Sequence, residues 1–187
     1  MEFPKALAHC LGSRRVRTLT AICSAVVASC VLIASVGAAP ANEYQVKAAF
    51  LFNFAKFVEW PANAFSDTTT PFVIGVLGHD PFGPYLDDIV RGERINNRSL
   101  TVQRYRHAGE IKQCQVLFIS RSESDHIDQI ISSLKYRKIL VVTDADGGNG
   151  GVIIRFVNEG NRIRFKIDVE AAKAANLVIS SKLLRLG

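Results

Sequence analysis

Apolar positions between Glu43 and Trp60 recur at helical spacing. Phe50, Phe54 and Phe57 fall at i, i+4 and i+7 and share one face. Ala48, Leu51, Phe52, Ala55 and Val58 widen that face well beyond a stripe, and only Lys47, Asn53, Lys56 and Glu59 interrupt it. A helix this apolar has to be covered on most sides, by its own domain or by a partner. Trp60-Pro61 ends it, because the residue before a proline is pushed out of the α region. The pattern then switches period. Short apolar runs at Phe72–Leu77, Leu100–Tyr105, Val116–Ser120 and Lys138–Thr143 read as strands. Asp80-Pro81 reads as the start of a helix reaching Val90, and Ser122–Leu134 as a helix with Ile127, Ile130, Ile131 and Leu134 on one side. Val152–Val157 and Arg162–Asp168 are strands joined by a hairpin turn at Asn158-Glu159-Gly160-Asn161. Val169–Ala175 and Ser180–Leu186 look helical. Alternating strands and helices predict an α/β fold: a mostly parallel sheet flanked by helices, with a C-terminal antiparallel hairpin.

The segment before Asn42 is of a different kind. Leu19–Val36 is free of charge, follows the basic cluster Arg14-Arg15-Val16-Arg17, and precedes the small residues Gly37-Ala38-Ala39-Pro40-Ala41. That is the order of a signal peptide, with cleavage expected near Ala38 or Ala41 and export to the periplasm. An uncleaved anchor is the rival, but the stretch is rich in Ala, Ser, Cys and Thr and weakly hydrophobic for a permanent span. A lipidated N-terminus at Cys30 is a smaller option, since the apolar run continues past it. The expected organisation is residues 1–41 as signal peptide and 42–187 as one domain.

Removing that segment changes the composition. The formal charge of +6 divides into +3 for the first 41 residues and +3 for the remainder, and Cys114 is the one cysteine left of four. A lone cysteine cannot frame a disulfide miniprotein. A surplus of three cations is ordinary, so nucleic acid is not an expected partner. The chain is 48% hydrophobic and can bury a core, which excludes disorder.

Candidate chemistry is sparse. Gly78-His79-Asp80-Pro81 follows a strand where an α/β sheet places ligands, but it has neither G-x-G-x-x-G nor G-K-[ST]. Asp144-Ala145-Asp146-Gly147 fails the calcium-loop pattern, because Arg155 stands where the closing glutamate belongs. The histidines and Cys114 show no zinc spacing. No catalytic residue, metal or cofactor is expected, and Gly78, His79 and Asp144 remain as possible ligand loops. Arg91, Arg94, Arg98, Arg104 and Arg106 form a basic concentration that reads as a solvated face or a site for an acidic protein.

The segment Tyr44–Pro61 (YQVKAAFLFNFAKFVEWP) resembles the opening signature of the YfiR family of bacterial periplasmic proteins. Val76–Gly83, Cys114–Ser120, Ile163–Asp168 and Leu177–Leu186 fit the same family, so the resemblance spans the domain. It implies an α/β fold, a homodimer, and a regulator, not an enzyme, that restrains a membrane diguanylate cyclase (YfiN-like) and so lowers cyclic di-GMP and biofilm formation. It also implies an outer-membrane lipoprotein (YfiB-like) that sequesters the regulator. The alternative is a small-ligand sensor acting on a different membrane partner. Phe50, Phe54, Phe57 and Trp60 are expected in packing or dimer contact. Phe156, Arg164, Lys182 and Arg185 are expected on a partner face, with core packing the competing role for each aromatic. Two departures stand out. The family's well-studied member carries two disulfides, one through the position of Cys114, whereas no second cysteine follows the export segment here. The family also favours an acidic residue where Lys166 stands.

Overall fold

The structure, a computed structural model, describes residues 39–187 apart from 136, 149 and 161; the expected export segment up to residue 38 lies outside the described residues. Helix α1 spans Ala39–Phe57. It extends four residues ahead of the helix expected from the apolar pattern. Lys47, Ala48, Leu51, Phe54 and Ala55 are buried on one face of it, while Val46, Ala49, Asn53 and Lys56 are exposed, so the described residues cover one side of the helix and not most sides as its apolar content led one to expect. It ends at Phe57 and passes into the two-residue strand β1, Val58–Glu59.

The remaining elements are β2 (Phe72–Leu77), α2 (Pro84–Val90), β3 (Arg94–Ile95), β4 (Arg98–Tyr105), β5 (Val116–Ile119), α3 (Ile127–Ser133), β6 (Leu140–Thr143), β7 (Ile154–Glu159), β8 (Arg162–Ile167), α4 (Val169–Ala174), β9 (Val178–Ile179) and α5 (Ser181–Leu184). The main sheet runs β3-β4-β2-β5-β6-β7-β8. Strands β4, β2, β5, β6 and β7 are parallel, and β3 and β8 close the two ends antiparallel. The mostly parallel α/β sheet with its C-terminal hairpin is therefore present as expected. A separate antiparallel pair joins β1 to β9 through Val58↔Ile179 and Glu59↔Val178, tying the end of α1 to the C-terminal region.

Period-two alternation divides the buried residues between two faces. Phe72, Ile74, Val76, Phe118, Leu140 and Val142 pack with Phe54, Phe156 and Phe165 on the α1 side. Leu77, Leu117, Ile119 and Val141 pack with Cys114, Ile127 and Ile130 on the other. Three local readings are corrected. Asp80 does not open α2: its Oδ1 accepts from Phe82 N at 2.8 Å, and the helix begins only after Gly83, whose φ is 54°. The helix expected from Ser122 starts as a 3-10 turn, Arg121–His126, and becomes α-helical at Ile127. The β3–β4 hairpin went unpredicted; Asn96 and Asn97 make its turn with φ 49° and 65°, conformations asparagine tolerates.

Candidate functional site

Strands β5 and β6 end side by side, and a hydroxyl couples their ends. Thr143 Oγ1 donates to Ile119 O at 2.8 Å and accepts from Ala145 N at 3.0 Å. That arrangement holds Asp144 under the first turns of α1. Its side chain is 1% exposed and faces Lys47, whose side chain is fully buried, with Nζ 2.6 Å from Asp144 Oδ2. Tyr44 OH donates to the same oxygen at 3.0 Å, and Arg121 Nε lies 3.4 Å from it while donating to Asp144 O at 3.1 Å. Glu43, one turn before Lys47, accepts a second bond from the ammonium. Lys47 Nζ also lies 4.6 Å from the centre of the Tyr44 ring.

The electrostatics follow from this geometry. The hydrogen bond from Lys47 holds the Glu43 carboxyl below the usual range, against a smaller opposing effect of burial. Burial, then the Asp144 charge, pushes the Tyr44 phenol up to about 12. Two carboxylates and two cations thus neutralise one another beneath α1, and Asp144 Oδ1 is buried with no hydrogen-bond partner among the described residues. The arrangement fixes the start of α1 to the carboxyl end of the parallel sheet.

Two depressions adjoin the cluster. One, about 580 Å³, is lined by Arg121, Asp144, Asp146, Arg155, Phe156 and Asn158. Arg155 closes its far side, donating to Ala145 O and Gly147 O and so pinning the start of the glycine run. The other is a groove of about 720 Å³ along β8, with Val46, Phe50, Ile163, Phe165 and Leu186 among its walls. Asn158 lines both and donates to Glu43 Oε1 at 3.4 Å.

The residues singled out from sequence distribute unevenly. Asp144 is at the centre of the cluster. Gly78 and His79 lie elsewhere, at the point where the chain switches from the β4 side of β2 to the β5 side. Gly78 has φ 88°, and a Cβ there would stand 2.4 Å from Ser122 Oγ. His79 N donates to that hydroxyl at 2.9 Å. Side chains of the 3-10 turn therefore fill the crevice where an open α/β sheet usually takes a ligand. Phe54 is buried between Phe156 and Phe165, with ring centres 5.8 and 5.1 Å away, and Phe50 touches the same two rings. Phe57 is half-buried. Trp60 lies beyond the helix, its ring edge-on to Phe72 at 4.9 Å. Phe156, expected on a partner face, is 4% exposed and belongs to the core, because β7 turns it toward α1. Arg164, Lys182 and Arg185 are exposed.

Lys47, Tyr44, Glu43 and Arg121 were missed. A lysine interrupting an apolar helix, with a glutamate four residues earlier, was the available signal; Asp144, 97 residues away, was not predictable as its partner. Much of the basic concentration is consumed internally. Arg104 pairs with Asp80 at 2.7 Å and with Asp87, and Arg98 donates to Asp67 O and Thr70 O. Cys114 is buried, and burial pushes its thiol up to about 12.

Among the described residues no helix is long and apolar enough to cross a membrane, and no three His, Cys, Asp or Glu converge as metal ligands. The family described as DUF4154, YfiR/HmsC-like, matches residues 44–187. No curated protein matches the chain. The family is regulatory and non-catalytic, and it points to a periplasmic role in diguanylate cyclase signalling through contacts with signalling partners. The match takes in every strand of the sheet and all of the charged cluster but Glu43, and the chain belongs to the YfiR/HmsC-like family.

Proposed function

We propose that the domain is a periplasmic repressor of a membrane diguanylate cyclase of the YfiN kind, lowering cyclic di-GMP and with it biofilm formation. The observation that carries this reading is the family match over the whole domain from Tyr44 to the last residue. Surface chemistry supports it: the exposed cations Arg164, Lys182 and Arg185 and the exposed apolar Val178, Leu184 and Leu186 suit a protein contact. Export precedes function, with cleavage near Ala38 or Ala41. The repressor acts as a homodimer and is itself sequestered by an outer-membrane lipoprotein of the YfiB kind. Deleting the gene is expected to raise cyclic di-GMP, and affinity capture from solubilised membranes to recover a cyclase. Unchanged cyclic di-GMP with no cyclase captured would sink the reading.

A second reading is a small-ligand sensor, favoured by the 580 Å³ depression in which Asp144 and Arg155 face one space. A ligand at about 100 times its Kd stabilises the fold by about 2.7 kcal/mol, so thermal-shift screening reads it out. Flat melting temperatures across amino acids, nucleotides and cofactors would count against it.

A further inference from the structure

Strand β8 is the last strand of the seven-stranded sheet and pairs only with β7, so its outer edge presents backbone N–H and C=O groups that no described strand takes up. Its sequence, Arg162-Ile163-Arg164-Phe165-Lys166-Ile167, alternates strictly. Ile163, Phe165 and Ile167 turn to the α1 side and join that core. Arg162, Arg164 and Lys166 turn to the opposite face and are exposed. Among the described residues no side chain of β8 belongs to the second core. The nearest strand neutralises the row only in part, since Glu159 stands directly opposite Arg162. Lys166 stands directly opposite Arg155, and the row's one ion pair among the described residues is Arg164 with Glu159 at 3.9 Å. Like charges facing across a ladder are destabilising in an isolated pair. Along the same edge runs the 720 Å³ groove, in which Val46, Phe50, Ile163 and Leu186 supply apolar walls and Glu43, Asn158, Arg162 and Arg164 polar ones.

These features share one period. Alternate residues of a strand lie about 6.7 Å apart, so a six-residue segment added beside β8 places every second side chain against the cations and the others toward Val46, Phe50 and Ile163. We propose that the free edge of β8 receives an extended segment of a partner protein in which acidic and apolar residues alternate, pairing as an eighth strand. The proposal rests on the partner-binding reading above and names the chemistry of the partner. A second copy of this chain is a poor occupant, since two such edges bring cation rows together; the charges that block self-pairing select an acidic segment.

The test uses the purified full chain and a fluorescein-labelled, acetylated Glu-Leu-Glu-Val-Glu-Leu peptide, with a Lys-for-Glu peptide as control. Saturable anisotropy is expected for the acidic peptide alone. Raising the salt from 50 to 300 mM should weaken it several-fold, and the exposed double reversal Arg164→Glu/Lys166→Glu at least ten-fold, with an unchanged melting temperature. Hydrogen exchange at residues 162–167 should slow on binding. Equal affinity for the lysine peptide, indifference to the double reversal, or binding to phosphatidylglycerol vesicles in place of the peptide would each overturn the proposal. No cyclase takes part in this assay. A missing peptide complex beside a normal cyclic di-GMP response therefore removes the edge proposal and leaves the repressor reading standing.

Discussion

Replacing Lys47 by Met leaves the length of the side chain and removes its charge. In the folded chain the ammonium is fully buried and lies 2.6 Å from an Asp144 carboxylate that is itself 1% exposed. At an effective dielectric constant of about 20 that contact is worth roughly 6 kcal/mol in gross Coulomb energy, set against several kcal/mol of desolvation for each ion. The net value of the pair is therefore small, but removing one partner strands the other. Asp144 already has one oxygen without a hydrogen-bond partner, and in Lys47→Met its Oδ2 keeps only Tyr44 and the half-exposed Arg121. The expected loss is about 3–5 kcal/mol. Lys47→Met/Asp144→Leu, which removes both charges, should recover most of it, to within about 1–2 kcal/mol of the parent, because Glu43 is 27% exposed and can turn to solvent. Urea denaturation followed by far-UV circular dichroism gives the midpoints, and a common slope licenses the comparison. A single variant within about 1 kcal/mol of the parent, or single and double variants equally unstable, would refute the view that these charges hold α1 to the sheet.

A Cβ placed on Gly75 would stand 2.8 Å from Cys114 Sγ, within reach of one S–S bond. Gly75→Cys should therefore oxidise to an internal disulfide. Closing a loop of about 40 residues is worth ~4 kcal/mol at most, and crowding against Tyr105 reduces it; thiols that stay titratable after air oxidation would contradict this. In the parent chain Cys114 should resist aromatic disulfide reagents until the protein is unfolded, since its thiol is buried and pushed up to about 12. Tyr44 and Tyr105 are also pushed up to about 12, both chiefly by burial. These groups hold their protons more tightly when folded, so their stabilisation is complete below pH 9 and falls as pH rises from 9.0 for the unfolded thiol, or 10.0 for the unfolded phenols, toward 12. Urea midpoints between pH 8 and 11 should decline, and Cys114→Ala should remove the portion that begins near 9; a flat profile would argue against it. Arg155→Ala frees Ala145 O and Gly147 O, so amide exchange should quicken around the glycine run while global stability shifts by no more than about 1–2 kcal/mol. Exchange confined to the parent rate would show that Arg155 does not pin that run.

The chain's own pattern determined the layers. Continuous apolar runs at Phe72–Leu77 and Val116–Ile119 specify strands buried on both faces, and the apolar spacing after Glu43 specifies the helix that covers one of them, because burial of an apolar face is a local property of residue order. Boundaries were less legible where a turn outweighed the pattern: the Asp80 side chain bonds to its own loop and delays α2 past Gly83, and the paired asparagines Asn96 and Asn97 form a hairpin that no apolar run announces. What the tertiary structure alone decided is which residues meet. Lys47 read as an interruption in an apolar helix, and Asp144 as part of a loose glycine-rich connection. The fold sets them 2.6 Å apart out of water, where two charges are tolerable only together. The same holds at the edge of the sheet. The alternation of Arg162 to Ile167 is plain in the sequence, but that β8 is the outermost strand among those described, with its cations exposed and a groove along it, depends on strand order, and strand order is set by contacts between residues far apart along the chain.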